Sequence, residues 1–248
     1  KLELPESKIV DKNNSILDSK KRYDIIYYSG CMTKLTPSIY RSFESVMTKA
    51  GIEYLHIDKE ETLCCGRPLL LSGDIERFKD IVRANSEIIL SKSPKTLIVS
   101  CPICLKMFRE EYSMDNIEIV HHSQYMLNLI ISKKIEVKKS SLEVVYHDPC
   151  ELGRGLKIYD QPRELISKLA NLNEAKQSKS MSICCGASLA STHLTTIQKD
   201  EIAYNSLENL KNGKELALIT SCPLCYKTFS QVNSGPTMDI AQLVNNNL

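Results

Sequence analysis

The sequence has no tryptophan, and only 6% of its 248 residues are aromatic. Glycine and proline are also sparse, nine of each, which excludes collagen-like and Pro/Gly-rich low-complexity chains. No apolar run approaches the roughly 20 residues of a membrane-spanning helix. The first 22 residues are polar and charged, unlike a secretory leader. An excess of one charge sign is missing too. The formal net charge is +2 and the lysines and arginines are spread out, so there is no footprint for nucleic acid. No Gly-x-Gly-x-x-Gly follows a strand, and there is no P-loop or metalloprotease motif; Gly153-Arg154-Gly155 is not a nucleotide fingerprint.

What the sequence does have is cysteine, ten in all. They fall into two sets of five: Cys31, Cys64, Cys65, Cys101 and Cys104, then Cys150, Cys184, Cys185, Cys222 and Cys225. Between the lone cysteine and the Cys-Cys-Gly doublet lie 32 residues in the first set and 33 in the second. From the doublet to the closing Cys-Pro-x-Cys the gaps are 35 and 36. The closing motifs agree closely, Ser-Cys-Pro-Ile-Cys-Leu-Lys-Met-Phe against Ser-Cys-Pro-Leu-Cys-Tyr-Lys-Thr-Phe. Two matching five-part patterns mark an internal duplication with two equivalent sites.

Strands and helices alternate around these cysteines. In the first half the pattern predicts strands at 23–28, 53–57, 96–100 and 117–121. Helices are expected after Thr36-Pro37, over 74–90, after Cys104, and over 123–132. The lysine-rich stretch 133–141 reads as a joint. Beyond it come strands at 142–147, 217–220 and 238–241, a helix starting near Asp160 and Pro162, and one over 195–210. The expected fold is therefore α/β, two tandem similar domains at 23–136 and 137–248, each a small parallel sheet flanked by helices. Residues 1–22 read as a linker or N-terminal extension. With Lys as first residue, the expectation is a start further upstream, where a ferredoxin-type domain is one hypothesis. Ligands of parallel sheets gather at the carboxyl ends of the strands. Each cysteine group sits in a loop leading away from such an end, so the five of each half can converge.

Three chemistries compete for the thiols. Buried free thiols or disulfides account for one cysteine better than for ten in register. With no secretory leader, a reducing cytoplasm and metal ligation are expected instead. Structural zinc uses four thiolates and leaves one over in each half, although zinc can enter such a site in recombinant material. An iron–sulfur cluster, with several metal ions, can use five.

The order Cys, Cys-Cys-Gly, Cys-x-x-Cys, filled twice, resembles the cysteine-rich CCG domain. That family includes the B and D components of heterodisulfide reductase and the iron–sulfur subunits of glycolate oxidase, anaerobic glycerol-3-phosphate dehydrogenase and lactate utilisation. The resemblance covers 23–248, and His147-Asp148-Pro149-Cys150 with Gly153-Arg154 is similar to the family's second-repeat signature. Glu151 stands where many relatives carry His. The resemblance implies one non-cubane [4Fe–4S] cluster on each quintet of cysteines, facing each other across a cleft where a disulfide is split. It implies an oxidoreductase subunit that works with a flavoprotein or a ferredoxin-type partner and meets a membrane only through partners. A non-catalytic electron relay for a flavin-dependent 2-hydroxyacid or glycerol-3-phosphate dehydrogenase, and a zinc-stabilised scaffold, are the alternatives. Beyond the ligands, His147, Arg154 and Arg67 are the catalytic or substrate-side candidates. His121 and His122 are expected near the same edge, His56 and His193 in structural roles, and Lys106 and Lys227 as matched, exposed helix lysines.

Overall fold

The computed structural model describes residues 21–60, 63–188 and 191–248; the expectations for residues 1–20 lie outside that range. Two four-stranded parallel sheets form, one in each half of the chain. The first has the order β2-β1-β3-β4, from β1 (Ile25–Tyr28), β2 (Leu55–His56), β3 (Thr96–Val99) and β4 (Glu118–His121). The second repeats it as β6-β5-β7-β8, from β5 (Glu143–His147), β6 (Asn171–Asn173), β7 (Ala217–Thr220) and β8 (Thr237–Asp239). Registers match as well: Tyr27 lies beside Ile98, and its counterpart Tyr146 beside Ile219.

Helices fill the crossovers. The first half carries α1 (Cys31–Lys34), α2 (Pro37–Lys49), α3 (Arg67–Ser72), α4 (Ile75–Leu90), α5 (Pro102–Glu110) and α6 (His122–Ile131). The second carries a five-residue π-helical turn (Glu151–Gly155), then α7 (Asp160–Ser167), α8 (Thr196–Lys211), α9 (Pro223–Val232) and α10 (Ile240–Asn246).

Strand alternation divides the core. Ile26, Tyr28, Leu97 and Val99 face α4 and α5, where they meet Phe78, Ile89, Leu105 and Phe108. The opposite face of that sheet, with Tyr27 and Ile98, shares one apolar cluster with Val144, Tyr146 and Ile219 of the other sheet. Side chains of α2, α6, α7 and α10 complete this cluster, among them Phe43, Met126, Leu165 and Leu243. The inward faces of both halves are thus joined by a common core, which fixes the halves against each other. His122 Nε2 lies 3.3 Å from Asp239 Oδ1 across the same junction, both side chains fully buried.

Several elements differ from expectation. Strand β6 was not foreseen, because Asn-Leu-Asn lacks β-branched residues; its asparagines instead reach Glu143 on β5, at 2.8 and 2.6 Å. Helix α3 also escaped, being six residues bounded by the left-handed Gly66 and Gly73. Thr36 does sit at the N-cap of α2, but without a side-chain cap bond; its hydroxyl donates back to the Met32 carbonyl at 3.2 Å. Ile240 and Ala241 belong to α10 rather than to the last strand, with Asp239 as the cap in a capping box with Gln242.

Candidate metal centre

Both sets of cysteines sit at the carboxyl ends of their sheets. Cys31 opens α1 after β1, and Cys150 precedes the π-helical turn after β5. The doublets follow β2 and β6. Cys101 and Cys222 are the N-cap residues of α5 and α9, with proline at the first helical position and Cys104 and Cys225 in the first turn.

The thiols meet. Cys65 neighbours both Cys64 and Cys104, and Cys104 neighbours Cys101, each shifting the other's acidity. In the second half Cys185 Sγ donates to Cys225 Sγ at 3.4 Å, Cys222 neighbours Cys225, and Cys184 neighbours Cys185 and Cys150. Cys101 and Cys222 neighbour each other and shift each other's acidity, so the two sets adjoin where the halves meet. Cys31 lies alongside, close enough to feel the charges of Cys101 and Cys65.

Local pins set this arrangement, and they recur in both halves. Tyr27 Oη lies 2.7 Å from Ser100 Oγ, and Tyr146 Oη donates to Ser221 Oγ at 3.2 Å, each just before Cys-Pro-x-Cys. Tyr28 donates to the Leu63 carbonyl at 2.5 Å, just before the first doublet. His147, at the matching strand end, has Nε2 3.1 Å from the Ile183 carbonyl, just before the second doublet. Even the ring contacts correspond: Tyr28 meets Phe108 edge-on at 4.8 Å, and His147 meets Phe229 edge-on at 4.8 Å. Gly66 and Gly186 take φ of +85° and +83° and donate their amides to Cys64 and Cys184. A Cβ at either position would come within 2.8 Å of Phe78 or Ile202, so glycine is needed for both reasons.

The halves differ in how a carboxylate braces the loops. Asp58, after β2, accepts from the amides of Ser29 and Gly30 at 2.8 and 2.7 Å. Asp148, after β5, makes a bidentate pair with Arg163 at 2.7 Å and accepts from the Lys179 amide at 2.8 Å. Sequence reasoning named neither Asp58 nor Arg163; no motif signals them.

The acidities show what kind of group suits these thiols. Thiol neighbours and the Gly186 amide pull Cys184 down to about 2, the Cys150 contact first among them. Cys101 is held well below the usual thiol range, first by Cys104 and then by Cys222. Cys65 is likewise lowered by Cys104 and Cys64. Most of the rest go the other way: Cys64 and Cys104 are raised by their thiol neighbours and by burial, and Cys185 is pushed up to about 12, chiefly by Cys184. A few thiols ionise by using the others as donors, and the others are held protonated. Full ionisation of either quintet needs a multivalent cationic group. Among the described residues, no three or more Cys, His, Asp or Glu side chains are arranged around a single ion. A string of paired thiols suits a group with several metal atoms better than one tetrahedral ion. The donor set is thus compatible with iron–sulfur clusters.

His121 and His147 are buried against backbone carbonyls. Burial lowers His147 to about 4, so it is neutral, with Nε2–H on Ile183 and Nδ1 3.4 Å from Thr220 Oγ1. Burial, then neighbouring His122, holds His121 well below its usual value; its Nε2 meets the Ser100 carbonyl at 3.1 Å, and its Nδ1 lies 2.7 Å from Ser123 Oγ. His56 lies 3.0 Å from Glu44 and 3.3 Å from Asp58, whereas His193 is exposed. Arg154 reaches back to the carbonyls of Ser182 and Ser180, at 2.5 and 3.4 Å, on the approach to the second doublet. Arg67 instead crosses to the other half, where Glu151 lies at 3.3 Å.

A pocket of about 60 Å³ opens between the halves. Its floor includes Cys150, Cys184, Cys185, Cys222 and Cys225; Arg67, Leu71 and Ile103 of the first half and Glu151 and Leu224 of the second wall it. Among the described residues, no helix is long and apolar enough to cross a membrane.

Comparison with known proteins agrees with this architecture. The EtfAB:quinone oxidoreductase of Syntrophomonas wolfei is 26% identical over 236 residues, 90% of this chain and 33% of that protein. The D component of the dihydromethanophenazine:CoB–CoM heterodisulfide reductase of Methanosarcina barkeri is 25% identical, covering 95% of this chain and 58% of its own. The probable iron–sulfur-binding oxidoreductase FadF of Bacillus subtilis is 22% identical over 83% of this chain and 30% of its own. The chain therefore spans between about a third and three fifths of these relatives. Among solved structures, a putative Asp/Glu racemase from Yersinia pestis matches with a TM-score of 0.40 at 11% identity, over 90% of this chain and 96% of that one, too loose a likeness to transfer anything. The family model for the cysteine-rich CCG domain matches residues 25–109 and again 144–230, one copy on each sheet and its thiols: the chain belongs to the CCG cysteine-rich domain family, carried twice.

Proposed function

We propose that this chain is an iron–sulfur oxidoreductase subunit whose two repeats, meeting near residues 136 and 137, each hold one [4Fe–4S] cluster of non-cubane type. Cys31, Cys64, Cys65, Cys101 and Cys104 would ligate the first, and Cys150, Cys184, Cys185, Cys222 and Cys225 the second. The reaction is reduction of a small disulfide to two thiols, which consumes two electrons and two protons. When bound, the clusters supply the electrons, received from a flavoprotein or ferredoxin-type partner.

The observation that carries this reading is the adjacency of two five-thiol sets, with Cys101 beside Cys222, next to a pocket lined by the thiols of the second set. The chain's own residues do the rest. Tyr28, His147, Tyr27 and Tyr146 hold the doublet and Cys-Pro-x-Cys loops in place. Leu71, Pro102, Ile103 and Leu224 shield the thiols from water and present an apolar wall to the substrate. The names of the relatives support a redox role shared with other subunits. A cytoplasmic location, with membrane contact through partners alone, belongs to the same proposal.

The test is anaerobic reconstitution followed by viologen-linked turnover of low-molecular-weight disulfides. Disulfide-dependent viologen oxidation by protein holding iron and acid-labile sulfide supports the reading. Clusters that reduce with viologen but pass no electrons to any disulfide leave an electron relay in its place. Zinc without sulfide leaves a scaffold.

A further inference from the structure

We propose that Arg67 is the anion-recognition residue of this pocket, that Glu151 is its resident counter-anion, and that the substrate class is a small disulfide or thiol bearing an anionic group. This rests on the pocket being a substrate site, as proposed above.

Arg67 is the cation among the pocket's lining residues, and Glu151 the carboxylate. Glu151 bridges two positive groups, with Oε1 3.3 Å from Arg67 and Oε2 3.5 Å from Lys106. Lys106 has a second carboxylate within reach, Glu110 at 3.9 Å. An incoming anion can therefore take Arg67 while Glu151 stays on Lys106. The exchange is open to a solute because the side chains of Arg67 and Glu151, 21% and 24% exposed, are reachable from solvent and Glu151 keeps Lys106 as a partner. The arginine fork has five N–H donors and spends few of them on Glu151 and, at 3.9 Å, Met107 Sδ. Room for the Glu151 carboxylate comes from Gly155, where a Cβ would lie 2.9 Å from Oε2.

The duplication isolates this feature. Lys227 matches Lys106, but Ala187 follows the second doublet where Arg67 follows the first, and Met32 follows Cys31 where Glu151 follows Cys150. The cleft that opens onto the thiols of Cys150 and Cys184 has thus acquired a cation from the first half and a displaceable carboxylate from the second, beside apolar walls suited to the carbon arms of a disulfide.

Calorimetric titration of anaerobic, cluster-loaded, unreduced protein tests the assignment with two probes, 3,3′-dithiodipropionate and the neutral bis(2-hydroxyethyl) disulfide. One charge-assisted hydrogen-bonded pair predicts about tenfold tighter binding of the dianion at low salt. Arg67→Met abolishes that preference and leaves the neutral probe unaffected; Arg67→Lys keeps part of it. Glu151→Gln strengthens dianion binding severalfold. Equal binding of both probes by the wild type, loss of the neutral probe in Arg67→Met, or binding of neither overturns the proposal. Iron and sulfide, counted in every sample, score the underlying reading separately. Full clusters without anion preference sink the anion site alone, and absent iron and sulfide sink both.

Discussion

Replacing His147 with phenylalanine keeps a ring against Phe229 and removes the bond to the Ile183 carbonyl. Leaving that carbonyl unpaired costs about 1–3 kcal/mol at neutral pH. The acid side behaves differently. Wild-type His147 is neutral in the fold, with its titration lowered by burial to about 4. In the unfolded chain it titrates near 6.5. Below pH ~6.5 the unfolded state binds more protons than the fold, so wild-type stability falls as the pH drops towards 4, and nothing is lost above 6.5. At pH 5.5 the loss is about 1.4 kcal/mol, and by pH 4 it approaches about 3. His147→Phe has no such group. The gap between wild type and variant should therefore shrink by about 1.4 kcal/mol between pH 8 and pH 5.5, or about 3–6 °C in thermal midpoint for a chain of this size. Anaerobic thermal unfolding of both proteins at pH 8, 6.5 and 5.5 measures it. A gap that stays constant or widens on acidification would refute the neutral, carbonyl-bound histidine.

Other expectations follow from neighbouring features. Tyr28→Phe removes the matching bond to Leu63 and should cost a similar 1–3 kcal/mol with no acid-dependent change, read in the same scans. Gly30→Ala places a Cβ 3.2 Å from Cys104 Sγ on a backbone with φ +84°, so the first site should lose iron while the second keeps it, visible as a halved iron count. Removing Asp148 from its buried bidentate pair with Arg163, as in Asp148→Ala, should cost about 1–3 kcal/mol in chemical denaturation, because Glu174 still holds the guanidinium. His122→Phe leaves Asp239 buried across the junction of the halves and should lower the unfolding midpoint, whereas exposed Lys79→Ala should not.

The duplicated cysteines were legible because the residue type recurs at every position and no spacing differs by more than one residue between the repeats. The strands delivering them were legible as short β-branched runs, from Ile25 to Tyr28 and from Thr96 to Val99. Strand β6 was not, since its pairing rests on backbone bonds and on asparagines reaching Glu143. Nor was the joining of the halves: periodicity marks an apolar face on α2 or α10 but does not name the element that covers it. The equivalence of Tyr28 and His147 has a signal, the shared offset of three residues before the lone cysteine. It is hidden because a phenol and an imidazole do the same task. The Glu151 bridge to Arg67 and Lys106 spans 84 residues of sequence on one side, and only the fold closes that distance.

The central claim is that each quintet of thiols surrounds one multi-iron centre. Iron and acid-labile sulfide, counted per chain in anaerobically purified protein, test it most directly. About eight of each is the expected result, two four-iron clusters. One or two zinc ions with no sulfide, or thiols that all titrate freely in the folded protein, would contradict it.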